Sequence, residues 1–276
     1  KFNEPASDNL LFHAGFIMTF FKMSSLFLKK TEVHQSWAKF LDKDTTSLIF
    51  KIEKEVTKKE FTPPADKVLR FLEVPLDKIK IIILGQDPYP QPGIATGRAF
   101  EVGTLKSWNE PFKNISLKNI LRAVYRAYTG ETVKFSELKQ KLDNEFPVLP
   151  PNKFFSHWER EGVLMINTAY TCETGKPGSH KKEWEEFTHH VLQFLDKHRK
   201  KATWFLWGSH AKQATENIDL KNVIETHHPM MCYDKPGRDK DFLYGKINCF
   251  GEFIPEIDWT GYDLQKGLKK ANKLFY

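Results

Sequence analysis

Gln86, Asp87 and Tyr89 place an amide, a carboxylate and a phenol directly after the apolar run Ile81–Leu84. Pro88 and Pro90 forbid continuation of strand or helix, so the polar groups are carried on a rigid loop. Three further apolar runs end the same way. Val163–Ile166 runs into Asn167-Thr168, Thr203–Trp207 into Gly208-Ser209-His210, and Asn222–Thr226 into His227-His228-Pro229. Together the four ends offer a carboxylate, two amides, hydroxyls and imidazoles. Such a set can hold a polar ligand and do acid–base chemistry if the ends converge.

Convergence follows from the elements between them. Ile79–Leu84 and the three later runs have strand character, and segments of helical period separate them. Ser116–Tyr128 carries Leu117, Ile120, Leu121, Val124 and Tyr125 on one face, and Glu183–His198 carries Trp184, Phe187, Val191, Phe194 and Leu195. Strands alternating with helices predict a three-layer α/β/α fold around a mostly parallel four-stranded sheet. In such a sheet the C-terminal strand ends share one edge, where crevice sites form. No GxGxxG or GxxxxGK[ST] follows any strand, which argues against a dinucleotide or P-loop site.

Composition narrows the class. The 276 residues carry a formal net charge of +7 and 23 Phe, so a basic protein with an aromatic core is expected, and polyanions are favoured partners. Cys172, Cys232 and Cys249 show no CxxC spacing, which points to a reducing, intracellular compartment rather than a disulfide framework. The ten His residues show no metal-ligand spacing, so neither metal nor cofactor is expected. Leu10–Leu28 is apolar, but His13, Lys22 and Ser24-Ser25 interrupt it, so it is too broken to span a membrane. It reads as an amphipathic helix within an N-terminal extension over 1–34, followed by one domain over 35–276. An opening Lys1 in place of Met suggests a trimmed or processed form.

At this point the residues acquire a family. GQDPYP at 85–90, GRAF at Gly97–Phe100, ISLKNI at Ile115–Ile120, GVLMINTAYT at Gly162–Thr171, FLWGSHA at Phe205–Ala211 and HHP at His227–Pro229 resemble, in order and spacing, the motifs of uracil-DNA glycosylases of the family-1 type. IDW at Ile257–Trp259 resembles that family's C-terminal end. The resemblance runs from about Trp37 to about Trp259. It implies hydrolysis of the bond joining uracil to deoxyribose in DNA, single- or double-stranded, with the base flipped out of the stack. By the resemblance Asp87 positions water and stabilises the sugar cation, and His228 donates to uracil O2. Asn167 reads the uracil edge, Phe100 stacks on the base, Tyr89 excludes the thymine methyl, and Gln86 gives backbone contacts. Ser116, Ser209 and His180 match positions near the DNA backbone. A monomer is expected, with a DNA-mimicking inhibitor protein as a further candidate partner. Nucleus, cytoplasm and a viral replication site all remain open.

Two departures stand out. The family carries His where this chain has Pro90. Its HPSPLS becomes HPMMCY at His228–Tyr233, so two phosphate-clamping serines are replaced and the apolar wedge becomes Cys232 by ungapped counting. Met231 or Tyr233 would serve as wedge if the loop is re-registered, with Lys235 and Arg238 supplying charge. The altered loop motivates a second reading, a replication-accessory DNA binder of weak catalysis. Asp87, Asn167 and His228 count against it, since a pure binder needs none of them. A third reading, a glycosylase for another modified base, is opposed by Tyr89.

Overall fold

The computed structural model describes residues 25–142 and 144–264, so the expected helix over Leu10–Leu28 lies outside the described residues apart from its end. That end enters a short helix, α1 (Leu26–Lys30), whose Phe27 and Leu28 are buried. Glu53, on α2 (Lys43–Val56), turns its carboxylate onto the start of α1. It accepts from Ser25 Oγ at 2.8 Å and from the N–H groups of Leu26 and Phe27 at 2.9 and 3.0 Å. A nearly buried anion thus satisfies the unpaired amides of a helix start.

Four strands build the sheet: β2 (Ile81–Gly85), β3 (Val163–Asn167), β5 (Thr203–Trp207) and β6 (Val223–Thr226). Their order is β3-β2-β5-β6 and every pairing is parallel, a stricter arrangement than the expected mostly parallel sheet. The β2, β3 and β5 runs are almost continuously apolar because both faces are covered, whereas the edge strand β6 is partly exposed. Ile82, Leu84, Leu164, Ile166, Trp204 and Leu206 face one core, shared with Phe27, Ile49 and the Trp184, Phe187 and Val191 side of α6 (Lys181–His198). Their alternates Ile81, Ile83, Val163, Met165, Phe205 and Trp207 face a second core. That core contains Leu117, Ile120 and Val124 of α3 (Ile115–Thr129) and Phe154, Phe155 and Trp158 of α5 (Pro151–Glu161).

Two smaller helices are also present among the described residues, α4 (Phe135–Lys141) and α7 (Ser209–Thr215). A two-residue antiparallel pair, β1 (Phe61–Thr62) with β4 (Cys172–Glu173), lies outside the main sheet. Among the described residues no helix is long and apolar enough to cross a membrane.

Candidate active site

The β2–β3 register sets the first half of the site. Gly85 pairs with Asn167 at the last rung, and a Cβ on Gly85 would lie 2.2 Å from Asn167 Oδ1 and 2.8 Å from Ala99 Cβ. Glycine is therefore what lets the Asn167 amide lie across the end of β2. Asn167 is 6% exposed, with its side-chain oxygen lying over Gly85. An amide so placed keeps both a donor and an acceptor available to a ligand.

Beyond Gly85 the chain leaves the sheet but stays tethered. Thr168 N donates to Gly85 O at 3.1 Å and Ala169 N to Gln86 O at 2.9 Å. Pro90 O accepts from Gly175 N at 2.8 Å, and Pro88 O from Cys172 Sγ at 3.5 Å. Asp87 is half-buried and its Oδ2 accepts from Gly178 N at 2.6 Å. Burial holds its carboxyl above the ordinary carboxylate range, and the Gly178 amide offsets only part of this. Tyr89 rests on the second core with its phenol in hydrogen-bond reach of the Asn114 side chain, and burial raises its pKa. The Gln86 side chain is exposed, so its backbone carbonyl is what ties it to the site.

The second half comes from β5 and β6. Phe100 has φ +67, a left-handed conformation that costs a non-glycine residue about 1–3 kcal/mol and is characteristic of functional sites. Its ring lies 5.4 Å from Trp207 and 6.1 Å from His228 between centroids. Gly208, at φ +92, comes so close to His228 that an added Cβ would sit 2.9 Å from the His228 Cβ. His228 Nδ1 accepts from Met230 N at 3.1 Å. Burial lowers its pKa, so the ring is neutral near pH 7 and must carry its proton on Nε2. His227 differs: its Nδ1 is buried without a partner and its backbone N–H pairs with Lys240 O at 2.7 Å.

Asp87, Gln86, Tyr89, Phe100, Asn167 and His228 thus come to the C-terminal edge of the sheet. Ser116 is the second residue of α3, whose N-cap Asn114 makes no side-chain cap bond. Ser209 is exposed at the first position of α7. His180 is 6% exposed, with Nδ1 held by Thr171 Oγ1 at 2.9 Å, so that nitrogen faces inward.

In the HPMMCY loop, Cys232 turns toward the protein. Its Sγ donates to Pro229 O at 3.2 Å, and burial followed by the Asp241 carboxylate pushes the thiol up to about 12. Met231 and Tyr233 are each 45% exposed, and Met230 is 53% exposed. Arg238 braces all of this. It donates to Met231 O at 2.7 Å, pairs with the fully buried Asp241, and lies 5.1 Å above the Tyr233 ring. Asp241 also accepts from the N–H groups of Tyr233, Leu243 and Tyr244. Burial alone would raise its pKa, but these donors hold it below the usual range.

Sequence reasoning missed Gly178, Asp241 and the Met230 amide. The last is a backbone group with no residue-type signature. Gly178, at φ +73, was signalled only by the glycine preceding Ser179-His180. Among the described residues no His, Cys, Asp and Glu side chains group as a metal-ligand set.

An all-parallel open sheet with a carboxylate loop, an amide and a neutral imidazole along its C-terminal edge defines an α/β protein whose polar groups gather where such sheets bind ligands. Residues 72–249 match the family model described as the uracil DNA glycosylase superfamily. The chain is 32% identical over 240 residues to uracil-DNA glycosylase 1 of Listeria innocua, covering 82% of this chain and 97% of that protein. It is 32% identical over 245 residues to the uracil-DNA glycosylase of Acinetobacter baylyi, covering 84% and 94%. Among solved structures, mimivirus uracil-DNA glycosylase superposes with a TM-score of 0.61 at 20% identity, over 93% of this chain and 91% of that one. The chain belongs to the uracil-DNA glycosylase superfamily.

Proposed function

We propose that the protein excises uracil from DNA, the activity of its family, and that Asp87 and His228 carry the chemistry. The observation that supports this most is that one sheet edge carries both a carboxylate held by the Gly178 amide and a neutral imidazole whose Nε2–H is fixed by the Met230 amide. Breaking the bond between uracil N1 and deoxyribose C1′ develops positive charge on the sugar and negative charge on the base. Asp87 faces the cation and orients water, whose oxygen bonds C1′ while its proton passes to the carboxylate or solvent. The bond electrons leave on uracil, where His228 Nε2–H donates to O2. Incubation with a uracil-containing oligonucleotide plus chelator, followed by measurement of free uracil, tests the reading. An absence of uracil release rejects it.

Asn167 supplies selectivity: its amide donates to O4 and accepts from N3–H, whereas cytosine presents the reverse pattern. Phe100 stacks on the base, and Gln86 contributes its backbone. Tyr89 fills the space beside C5. Tyr89→Ala is expected to narrow the preference for uracil over thymine by about 10–200-fold, the usual worth of excluding one methyl. The measurement is thymine release from an ordinary oligonucleotide, and no gain in thymine release contradicts the assignment.

Ser116, Ser209 and His180 are assigned to the DNA backbone, Ser116 from the first turn of α3, where free N–H groups suit a phosphate. For the wedge we assign Met231, because Cys232 is turned inward and its thiol is committed to Pro229. An apolar side chain that fills the vacated stack matters for duplex DNA and little for single strands. Met231→Ala is therefore expected to lower kcat/KM on duplex substrate about tenfold while sparing single-stranded substrate. Cys232→Ala should change neither. The opposite outcome would make Cys232 the wedge. Tyr233, with Arg238 against its ring, offers a stacking surface next to the wedge.

A further inference from the structure

Thr168 occupies a junction that the excision chemistry leaves unexplained. Its Oγ1 lies 3.0 Å from Gln86 O and 2.6 Å from His210 Nε2. A hydroxyl has one proton, and a carbonyl can only accept. The Thr168 proton therefore goes to Gln86 O, and His210 must donate Nε2–H to the Thr168 oxygen. The carbonyl so engaged belongs to the residue before Asp87, and it also takes the Ala169 amide at 2.9 Å. From its other side Thr168 is anchored to α6, where Thr188 Oγ1 donates to Thr168 O at 2.5 Å.

We propose that His210 is a positioning residue, which fixes the Gln86–Asp87 peptide through Thr168 and so sets where the Asp87 carboxylate stands. Donors in a chain polarise one another, so the imidazole strengthens the Thr168 bond to the loop as well as orienting it. Burial lowers the His210 pKa and keeps the ring neutral, and the nearby Lys181 charge acts in the same direction. The ring also forms one wall of a cavity of about 380 Å³ with Lys181, Glu185, His189 and Gln213. Truncating it enlarges a space already open to water rather than creating a sealed void. A loss of activity on truncation can thus be separated from a loss of stability.

The inference rests on the reading of Asp87 as the catalytic carboxylate. The experiment compares uracil release by the full chain with that of His210→Ala, His210→Gln, Thr168→Val, Thr168→Ser and the double variant His210→Ala/Thr168→Val, alongside thermal melts. His210→Ala and Thr168→Val should each lower kcat about tenfold with KM unchanged, less than the ~10²-fold that a full 1 Å misplacement can cost. The double variant should be no worse than the worse single one, since both break one chain. His210→Gln and Thr168→Ser, which keep the donors, should restore most of kcat. Effects that multiply, that fall on KM, or that the conservative variants do not rescue overturn the proposal. A wild type that releases no uracil overturns the functional reading itself, whereas an active wild type with unimpaired His210→Ala overturns only the positioning role.

Discussion

Asp87→Asn is expected to slow uracil release by about 10²–10⁴-fold while leaving the fold intact, the range for loss of a positioned acid–base group. Asn has nearly the same shape and can still accept the Gly178 amide, so what is removed is the negative charge facing the sugar. The stability sign can be worked out. Burial raises the folded-state pKa of Asp87. A raised carboxyl favours folding at low pH, and that contribution is lost as pH rises through the elevated value. At pH 7 the ionised side chain therefore opposes folding, and Asn should melt at the same temperature or higher. The same shift places an acid limb in the wild-type rate above the ordinary carboxylate range. Single-turnover uracil release against pH, with melts of both proteins, checks all three expectations. An Asp87→Asn protein as active as wild type would remove Asp87 from the chemistry.

His228→Ala should cost about 10²–10³-fold in kcat, the usual worth of one preorganised donor to a developing anion. His227→Ala, one residue away, should cost far less, because that imidazole has no partner set by the loop. Since burial lowers the His228 pKa, the wild-type rate should show no titration of a protonated imidazole near the ordinary His value. Nitrogen-detected NMR should find His228 protonated on Nε2 and bare on Nδ1. A ring protonated on Nδ1 would contradict the proposed donation to O2.

Much of this was legible in the residues because the positions are local. The four strands follow from apolar runs bounded by polar turns, and their parallel direction from the helices between them. Ile81–Gly85 and Thr203–Trp207 fall where the runs predict them, within two residues. Helix α5 escaped notice although Pro151 at its first turn and Phe154, Phe155 and Trp158 on one face carry the usual signals. The pair β1–β4 was not foreseeable, since two residues hold no periodicity. In the site, side-chain identities could be read but not backbone partners. Nothing about residue 178 or 230 announces that its N–H meets a carboxylate or an imidazole. Likewise HPMMCY shows that the loop is rewritten, but only the fold shows Cys232 turned inward and Arg238 against the Tyr233 ring.

The Met230 contact has a consequence for how this enzyme tolerates change. The group that assigns the proton on His228 is a main-chain amide, indifferent to the side chain it carries. Substitution at 230 can alter what the loop offers to DNA without disturbing the imidazole beside it, and among the twenty residues only proline would abolish the donor. Catalytic chemistry and DNA grip are therefore inherited separately from one short segment. A lineage can exchange one serine for methionine and another for tyrosine there, reshaping its contact with the duplex, while the atom that meets the departing base keeps its state.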